Sequence, residues 1–189
     1  ARMRALVADH RDMGELASWH PYISFKANMT HAPFEYEVTF TCESFIGLAD
    51  DGDTPLINDE HRAQIILGAQ YPRRAPRVEW LTRIFHPNIA PQGDEVCLGV
   101  LMDRHLPKIG LARIVTMLAE MLQWRNFDLH GVLNKKAAKW AADVERHWQY
   151  IEQIGGYPFQ RPIHELQAEF AEQWQGQGKR RLIQFTRVA

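Results

Sequence analysis

Residues 71–101 read YPRRAPRVEWLTRIFHPNIAPQGDEVCLGVL, and this stretch decides the architecture. Pro72, Pro76, Pro87 and Pro91 punctuate it. Proline removes a backbone donor and clashes with a preceding helical turn, so no long helix and no central strand can run through here. One short strand fits between the prolines, at residues 78–81. Residues 84–101 then lack any regular period, yet they are rich in apolar side chains: Ile84, Phe85, Ile89, Val96, Leu98, Val100 and Leu101. An irregular segment that is still apolar is expected to be an ordered functional loop packed on a scaffold.

Upstream, the chain alternates. Phe34, Tyr36, Val38, Phe40 and Cys42 share one parity against Glu35, Glu37, Thr39 and Thr41, the pattern of a half-buried strand over 34–42. Residues 22–25 and 62–67 add two shorter strands. Asp50-Asp51-Gly52-Asp53 with Pro55 marks a turn. Before the strands, Met3, Leu6, Val7, Met13, Leu16 and Ala17 recur at roughly helical spacing, predicting a helix over 2–17 that Trp19-His20-Pro21 breaks. Downstream, Leu111, Ile114, Val115, Leu118, Met121 and Leu122 form an apolar stripe over 111–123. A second helix is expected over 134–150 with Asn134 as its N-cap, and a third, more polar one over 163–174. The order is helix, antiparallel meander, loop, helices: an α+β chain.

Composition narrows the function classes. With 46% hydrophobic and 24% charged residues, the chain can bury a full core without staples. The formal net charge of −1 lacks the basic excess usual in a nucleic-acid binder, so no nucleic-acid partner is expected. No apolar run reaches membrane-span length and no charged-then-apolar leader is visible, so no membrane partner is expected. Cys42 and Cys97 are too few for a disulfide framework and read as free thiols of a reducing compartment, which points to the cytoplasm.

The two cysteines differ in setting. Cys42 ends the alternating strand on the buried parity and reads as core. Cys97 lies in the irregular loop between Val96 and Leu98, the more reactive kind of position, although a free cysteine taken alone is more often a small buried hydrophobe. No metal-ligand spacing and no phosphate-cradling glycine loop is apparent, so no metal and no cofactor is expected.

The ordered set YPRRAP, His86-Pro87-Asn88, Cys97-Leu98, DRHLPKIGL and Leu133-Asn134-Lys135-Lys136-Ala137-Ala138 resembles the ubiquitin-conjugating enzyme family. The resemblance runs from the first helix to roughly residue 150. It implies a UBC-type catalytic domain over 1–150, with an N-terminal helix, a four-stranded antiparallel meander, an active-site loop and C-terminal helices. Residues 151–189 would then be a C-terminal helical extension. The runs ASWHPYISFKA and QWRNFD look more like bacterial members, which occur in gene sets linked to phage defence.

The resemblance also implies a mechanism. Cys97 would accept a ubiquitin-like protein from an activating enzyme as a thioester and pass it to an amine, such as a lysine, of a protein target. A thiolate is both a good nucleophile and a good leaving group, which suits it to both steps. By resemblance, Asn88 would stabilise the oxyanion with its side-chain amide or hold the loop in shape. His86 would be structural, and Tyr71, Pro72, Pro76 and Pro87 scaffold. Relatives place an acidic residue just before the Leu-Asn segment to orient the attacking amine; here Asp128 or His130 stands nearest. Arg2, Arg4 and Arg11 on the first helix would face the activating enzyme.

Departures from the family pattern bear on ligases. Arg73 stands where RING-using members carry an aromatic residue, Lys108 follows Pro107 where a small residue is common, and His105 replaces a Trp. An apolar anchor has become charge, so ordinary RING-ligase docking is not expected. The interval from Asn88 to Cys97 is one residue longer than the common family spacing. Two other readings compete: a Cys–His thiol hydrolase using Cys97 with His86 or His105, and a non-catalytic ubiquitin-binding variant of the same fold.

Overall fold

The computed structural model describes residues 1–98, 109–129 and 131–154. Helix α1 (Arg2–Trp19) precedes an antiparallel sheet of β1 (Ile23–Ala27), β2 (Glu35–Leu48), β3 (Pro55–Ile66) and β4 (Arg77–Trp80), paired in sequence order. Helices α2 (Leu111–Leu122), α3 (Lys135–Ala142) and α4 (Val144–Gln153) follow. The expected α+β order, with its N-terminal helix and four-stranded meander, is the observed one. Among the described residues no helix is long and apolar enough to cross a membrane.

The sheet's inner face carries the expected alternation. Tyr36, Val38, Phe40 and Cys42 of β2, with Ala63 and Ile65 of β3, are buried against Leu6 and Met13 of α1 and Leu111, Ile114, Val115 and Leu118 of α2. Phe34, read as the first inward residue of its strand, is exposed and lies before β2. Met3 and Val7, read as part of the helix's apolar stripe, are also exposed. The buried stripe of α1 is instead Leu6, Asp9 and Met13, spaced as one helical face.

β2 runs six residues past the predicted end at 42. The register shifts between Thr41 and Ser44 and again between Phe45 and Gly47. Across them the inward parity changes once: even-numbered residues are buried through Ser44, then Phe45 and Gly47. Simple alternation therefore ends at Ser44 while the strand continues, and Phe45 packs in a second core.

That second core is aromatic. Phe45, Phe85, Trp124, Phe127 and Trp140 pack with Ala137, Ala141, Ile151 and Ile154. Trp124 lies at its centre, with ring centroids 5.5 Å from Phe45, 6.1 Å from Phe85, 5.7 Å from Phe127 and 5.2 Å from Trp140.

The helix expected over 134–150 is two helices. Asn134 caps α3 as read from the sequence, its side chain accepting from the Ala137 N–H at 3.1 Å. Asp143 then leaves helical geometry (φ −93°, ψ 66°), and α4 starts. The break lets His147 stack on Trp140 at 4.2 Å and place its Nδ1 2.8 Å from the Trp140 carbonyl. Residues seven apart in a continuous helix would be separated by about 10 Å along the axis. The pair is fastened to the turn between β2 and β3, where the Trp140 indole donates to the Asp53 carbonyl at 2.8 Å and the Asp53 carboxylate meets His147 Nε2 at 2.8 Å and Arg146 at 2.9 Å. The hydrogen bond to His147 holds the Asp53 carboxyl below the usual carboxylate range. α4 runs across residue 150, and Ile151 and Ile154 are buried in the aromatic core. The helix expected over 163–174 and the extension beyond 154 lie outside the described residues.

Candidate active site

Residues 88–97 form a small hairpin where the sequence suggested an irregular loop. The Cys97 N–H donates to the Asn88 carbonyl at 2.8 Å, Ile89 bridges Val96, and the Ala90 N–H donates to the Glu95 carbonyl at 2.8 Å. The turn uses Gly93 at φ 81°, a backbone region costly for side-chain-bearing residues. The Trp80 N–H donates to the Gly93 carbonyl at 2.7 Å, and a Cβ at Gly93 would lie 2.6 Å from the Trp80 carbonyl oxygen. Conformation and contact thus both demand glycine. The pairing returns Cys97 to Asn88 despite the longer interval between them, and its two arms are too short for alternation to reveal.

Three consecutive residues bind this hairpin to the helical half. His86 is fully buried, 5.3 Å from Trp124 ring to ring, and its Nδ1 accepts from the Asn88 N–H at 3.2 Å. Burial drives its imidazole down to about 3. The ring packs edge-on against Trp124 and Phe127. The Pro87 carbonyl accepts from Leu133 and Asn134 at 2.9 and 3.0 Å, fixing the start of α3. The Asn88 amide is wholly committed. Its Oδ1 accepts from the Asp128 N–H at 2.7 Å, and its Nδ2 donates to the carbonyls of Asp128 at 2.6 Å and Gly131 at 2.8 Å. These three bonds tie Asn88 to the segment before α3.

These bonds hold Asp128 and Gly131 beside Asn88, with Gly131 next to Cys97. The position a Cβ would take on Gly131 lies 3.0 Å from Cys97 Sγ, 3.7 Å from Asn88 Nδ2 and 3.7 Å from an Asp128 carboxylate oxygen. Sulfur, amide and carboxylate therefore converge on one point. Cys97 is partly exposed there, whereas Cys42 is 1% exposed and burial pushes its thiol up to about 12. The chain thus separates one accessible sulfur from one inert one.

The remaining expected residues sit around this centre. Tyr71 and Pro76 are buried and Pro72 half-buried, with a cis bond between Tyr71 and Pro72. Arg73 and Arg4 are exposed. Arg2 is tied across to the carbonyls of Leu67 at 3.0 Å and Gly68 at 3.2 Å, and Arg11 pairs with Asp12 at 2.9 Å. His105, Pro107, Lys108 and His130 lie outside the described residues.

Asp9 is a buried polar residue that the sequence reading did not single out. One carboxylate oxygen accepts from the Leu111 N–H at 2.8 Å and the other from the Tyr71 hydroxyl at 2.7 Å. Gly110, the N-cap of α2, has no side chain to offer, so α1 supplies the cap across the core. Burial raises the Asp9 carboxyl above its ordinary value against both hydrogen bonds. The available signal was spacing: Asp9 falls on the Leu6–Met13 stripe.

A model of the family described as "Ubiquitin-conjugating enzyme" matches residues 24–154. Among curated proteins, the chain is 27% identical over 107 residues to ubiquitin-conjugating enzyme E2 N of Macaca fascicularis, covering 53% of this chain and 69% of the relative. It is 33% identical over 102 residues to ubiquitin-conjugating enzyme E2 2 of Trichoderma harzianum, covering 54% and 64%. A second E2 2, from Debaryomyces hansenii, is 30% identical over 102 residues, and the match spans 58% of that protein. Among solved structures, S. cerevisiae Ubc12 superposes with a TM-score of 0.54 at 24% identity, over 79% of this chain and 76% of that one, a likeness of fold.

Proposed function

The chain belongs to the ubiquitin-conjugating enzyme family, and from that premise we propose that it carries a ubiquitin-like protein as a thioester on Cys97 and transfers it to an amine of a protein target. The observation that carries this reading is the convergence of Cys97 Sγ, the Asn88 amide and the Asp128 carboxylate around Gly131. In the first step the Cys97 thiolate attacks the thioester carbonyl held by an activating enzyme, and that enzyme's thiol leaves. In the second, a lysine amine attacks the new thioester, the Cys97 thiolate leaves, and an amide forms. Asn88 supports the reading as the clamp that sets the loop over the sulfur. Asp128 is assigned to orienting the amine and receiving its proton. Arg2, Arg4 and Arg11 are assigned to the activating enzyme, and the charge at Arg73 to a transfer that does not use an ordinary RING ligase. The finer placement among bacterial members acting in phage defence rests on the runs ASWHPYISFKA and QWRNFD, and genomic neighbourhood tests it.

The hydrolase alternative loses support from His86, which is buried and bonded to the Asn88 N–H. The test is incubation with an activating enzyme, ATP and a candidate ubiquitin-like protein, followed by electrophoresis without reductant. A thiol-sensitive adduct is expected. Cys97→Ser converts it to a thiol-resistant ester or abolishes it, and Cys42→Ala leaves it in place. An adduct that forms equally well on Cys97→Ser contradicts the assignment.

A further inference from the structure

We propose that His147 is held as its imidazolium in a pH-sensitive clasp that fastens α3 and α4 to the turn between β2 and β3. The ring is buried, with an oxygen 2.8 Å from each nitrogen: the Trp140 carbonyl at Nδ1 and an Asp53 carboxylate oxygen at Nε2. A neutral imidazole carries one N–H, and its other nitrogen is an acceptor. A carbonyl oxygen only accepts, so Nδ1 must donate. At Nε2 the Asp53 carboxyl is the other possible source of a proton. Arg146 lies 2.9 Å from its second oxygen, which favours the ionised form. Both hydrogens then come from the ring, and the ring is charged. It also lies flat on the Trp140 indole, with centroids 4.2 Å and planes 13° apart, a placement that suits a cation.

The partners come from separate elements. The turn supplies Asp53, whose carbonyl also accepts from the Trp140 indole at 2.8 Å. Asp51 stiffens that turn by accepting from the Asp53 and Thr54 N–H groups at 2.9 Å. α3 supplies the Trp140 ring and carbonyl, and at the break the Asp143 carbonyl accepts from the His147 N–H at 3.1 Å. α4 supplies Tyr150, its ring 6.5 Å away, and Arg146, whose like charge opposes the imidazolium while it holds Asp53. α3 begins on the Pro87 carbonyl, so the clasp and the active-site hairpin hold opposite ends of one helix. Loss of the ring proton sets a lone pair against an oxygen and undoes one side of the clasp. A ring held as a cation contributes in full below the ordinary histidine value, about 6.5. That contribution is lost as pH rises through the value the ring has in the fold.

The test is nuclear magnetic resonance on the full chain with nitrogen-labelled histidine rings. Cross-relaxation with the Trp140 indole identifies His147, and the nitrogen shifts report which ring atoms carry protons. At about pH 7.5, a unit above the ordinary histidine value, both nitrogens are expected to be protonated. A nitrogen with a free lone pair in that ring at the same pH overturns the proposal. Amide exchange across α4, expressed as protection relative to the unstructured chain, is the second readout. Protection is expected to fall about tenfold or more between about pH 6 and about pH 9. In Asp53→Asn the ring is expected to be neutral at about pH 7.5 and the pH-dependent fall to disappear. Protection that stays constant over that range in the unsubstituted chain contradicts the clasp, as does an Asp53→Asn ring that keeps both protons. Should Asp53→Asn fail to fold, the two measurements on the unsubstituted chain decide.

Discussion

The molecule has two cores, and they are made differently. The aliphatic one lies between the sheet and helices α1 and α2, and neighbours within each element already share a face: Tyr36, Val38 and Phe40 along β2, Ile114, Val115 and Leu118 along α2. The aromatic one is gathered from separate places in the chain, namely Phe45 beyond a strand irregularity, Phe85 before the active-site hairpin, Trp124 and Phe127 after α2, and Trp140 on α3. Periodic burial makes the first core a scaffold. The second has no period and sits against His86, whose ring accepts from the Asn88 N–H. The difference teaches where each core acts: both stabilise the fold, and only the aromatic one also adjoins His86, which is bonded to Asn88.

Paired truncations test this most severely. Trp124→Ala removes the ring that touches Phe45, Phe85, His86, Phe127 and Trp140, and it is expected to destabilise by about 3–5 kcal/mol in urea titration. Leu118→Ala in the aliphatic core is expected to cost about 2–5 kcal/mol. Their loading rates per folded molecule should diverge, falling for Trp124→Ala and holding for Leu118→Ala. Equal losses would erase the distinction between the cores.

A smaller effect is expected at Asp9, which joins α1, Tyr71 and α2 within the scaffold. Asp9→Ala leaves the Leu111 N–H and the Tyr71 hydroxyl without their partner, for about 1–3 kcal/mol. Asp9→Asn keeps an acceptor for the Leu111 N–H, turns the other contact into an amide N–H donating to the Tyr71 oxygen, and removes the buried charge. The Asp9 carboxyl is raised in the folded state. Its contribution is therefore fully present below the unfolded value, about pH 4, and is lost as pH rises through the folded value. Urea midpoints between pH 4 and pH 7 should shift progressively in favour of Asp9→Asn as pH rises. A pH-independent difference would show that the carboxylate is not penalised by burial. The smallest effect is expected at Asn134→Ala, about 1 kcal/mol for the lost cap of α3, with loading disturbed only as far as Leu133 and Asn134 slip from the Pro87 carbonyl.

The same division explains what could be read from the sequence. Alternation over 34–42 and the stripe of α2 were visible because they are local and periodic. The continuation of β2 to Leu48 was hidden, since its irregularities change parity where Ser44 and Phe45 are both buried. The break at Asp143 was hidden because both flanking segments are helical on their own and the reason for the break, His147 folding back on Trp140, is a contact between them. Cys97 and Asn88 were found through the order of short motifs, and their roles came with the family resemblance. Gly131 was not found: a glycine carries no side chain to flag its place beside the sulfur. Asp9 could have been found, since a carboxylate three residues after Leu6 and four before Met13 lies on the buried face of its helix.

The most direct measurement is the intact mass of the protein after incubation with an activating enzyme, ATP and the modifier, with the modified residue mapped by fragmentation. The account predicts an added mass equal to the modifier, carried on Cys97, absent from Cys97→Ala and released by thiol. A modifier mass that persists on Cys97→Ala, or that maps to a lysine before any transfer through sulfur, would contradict it.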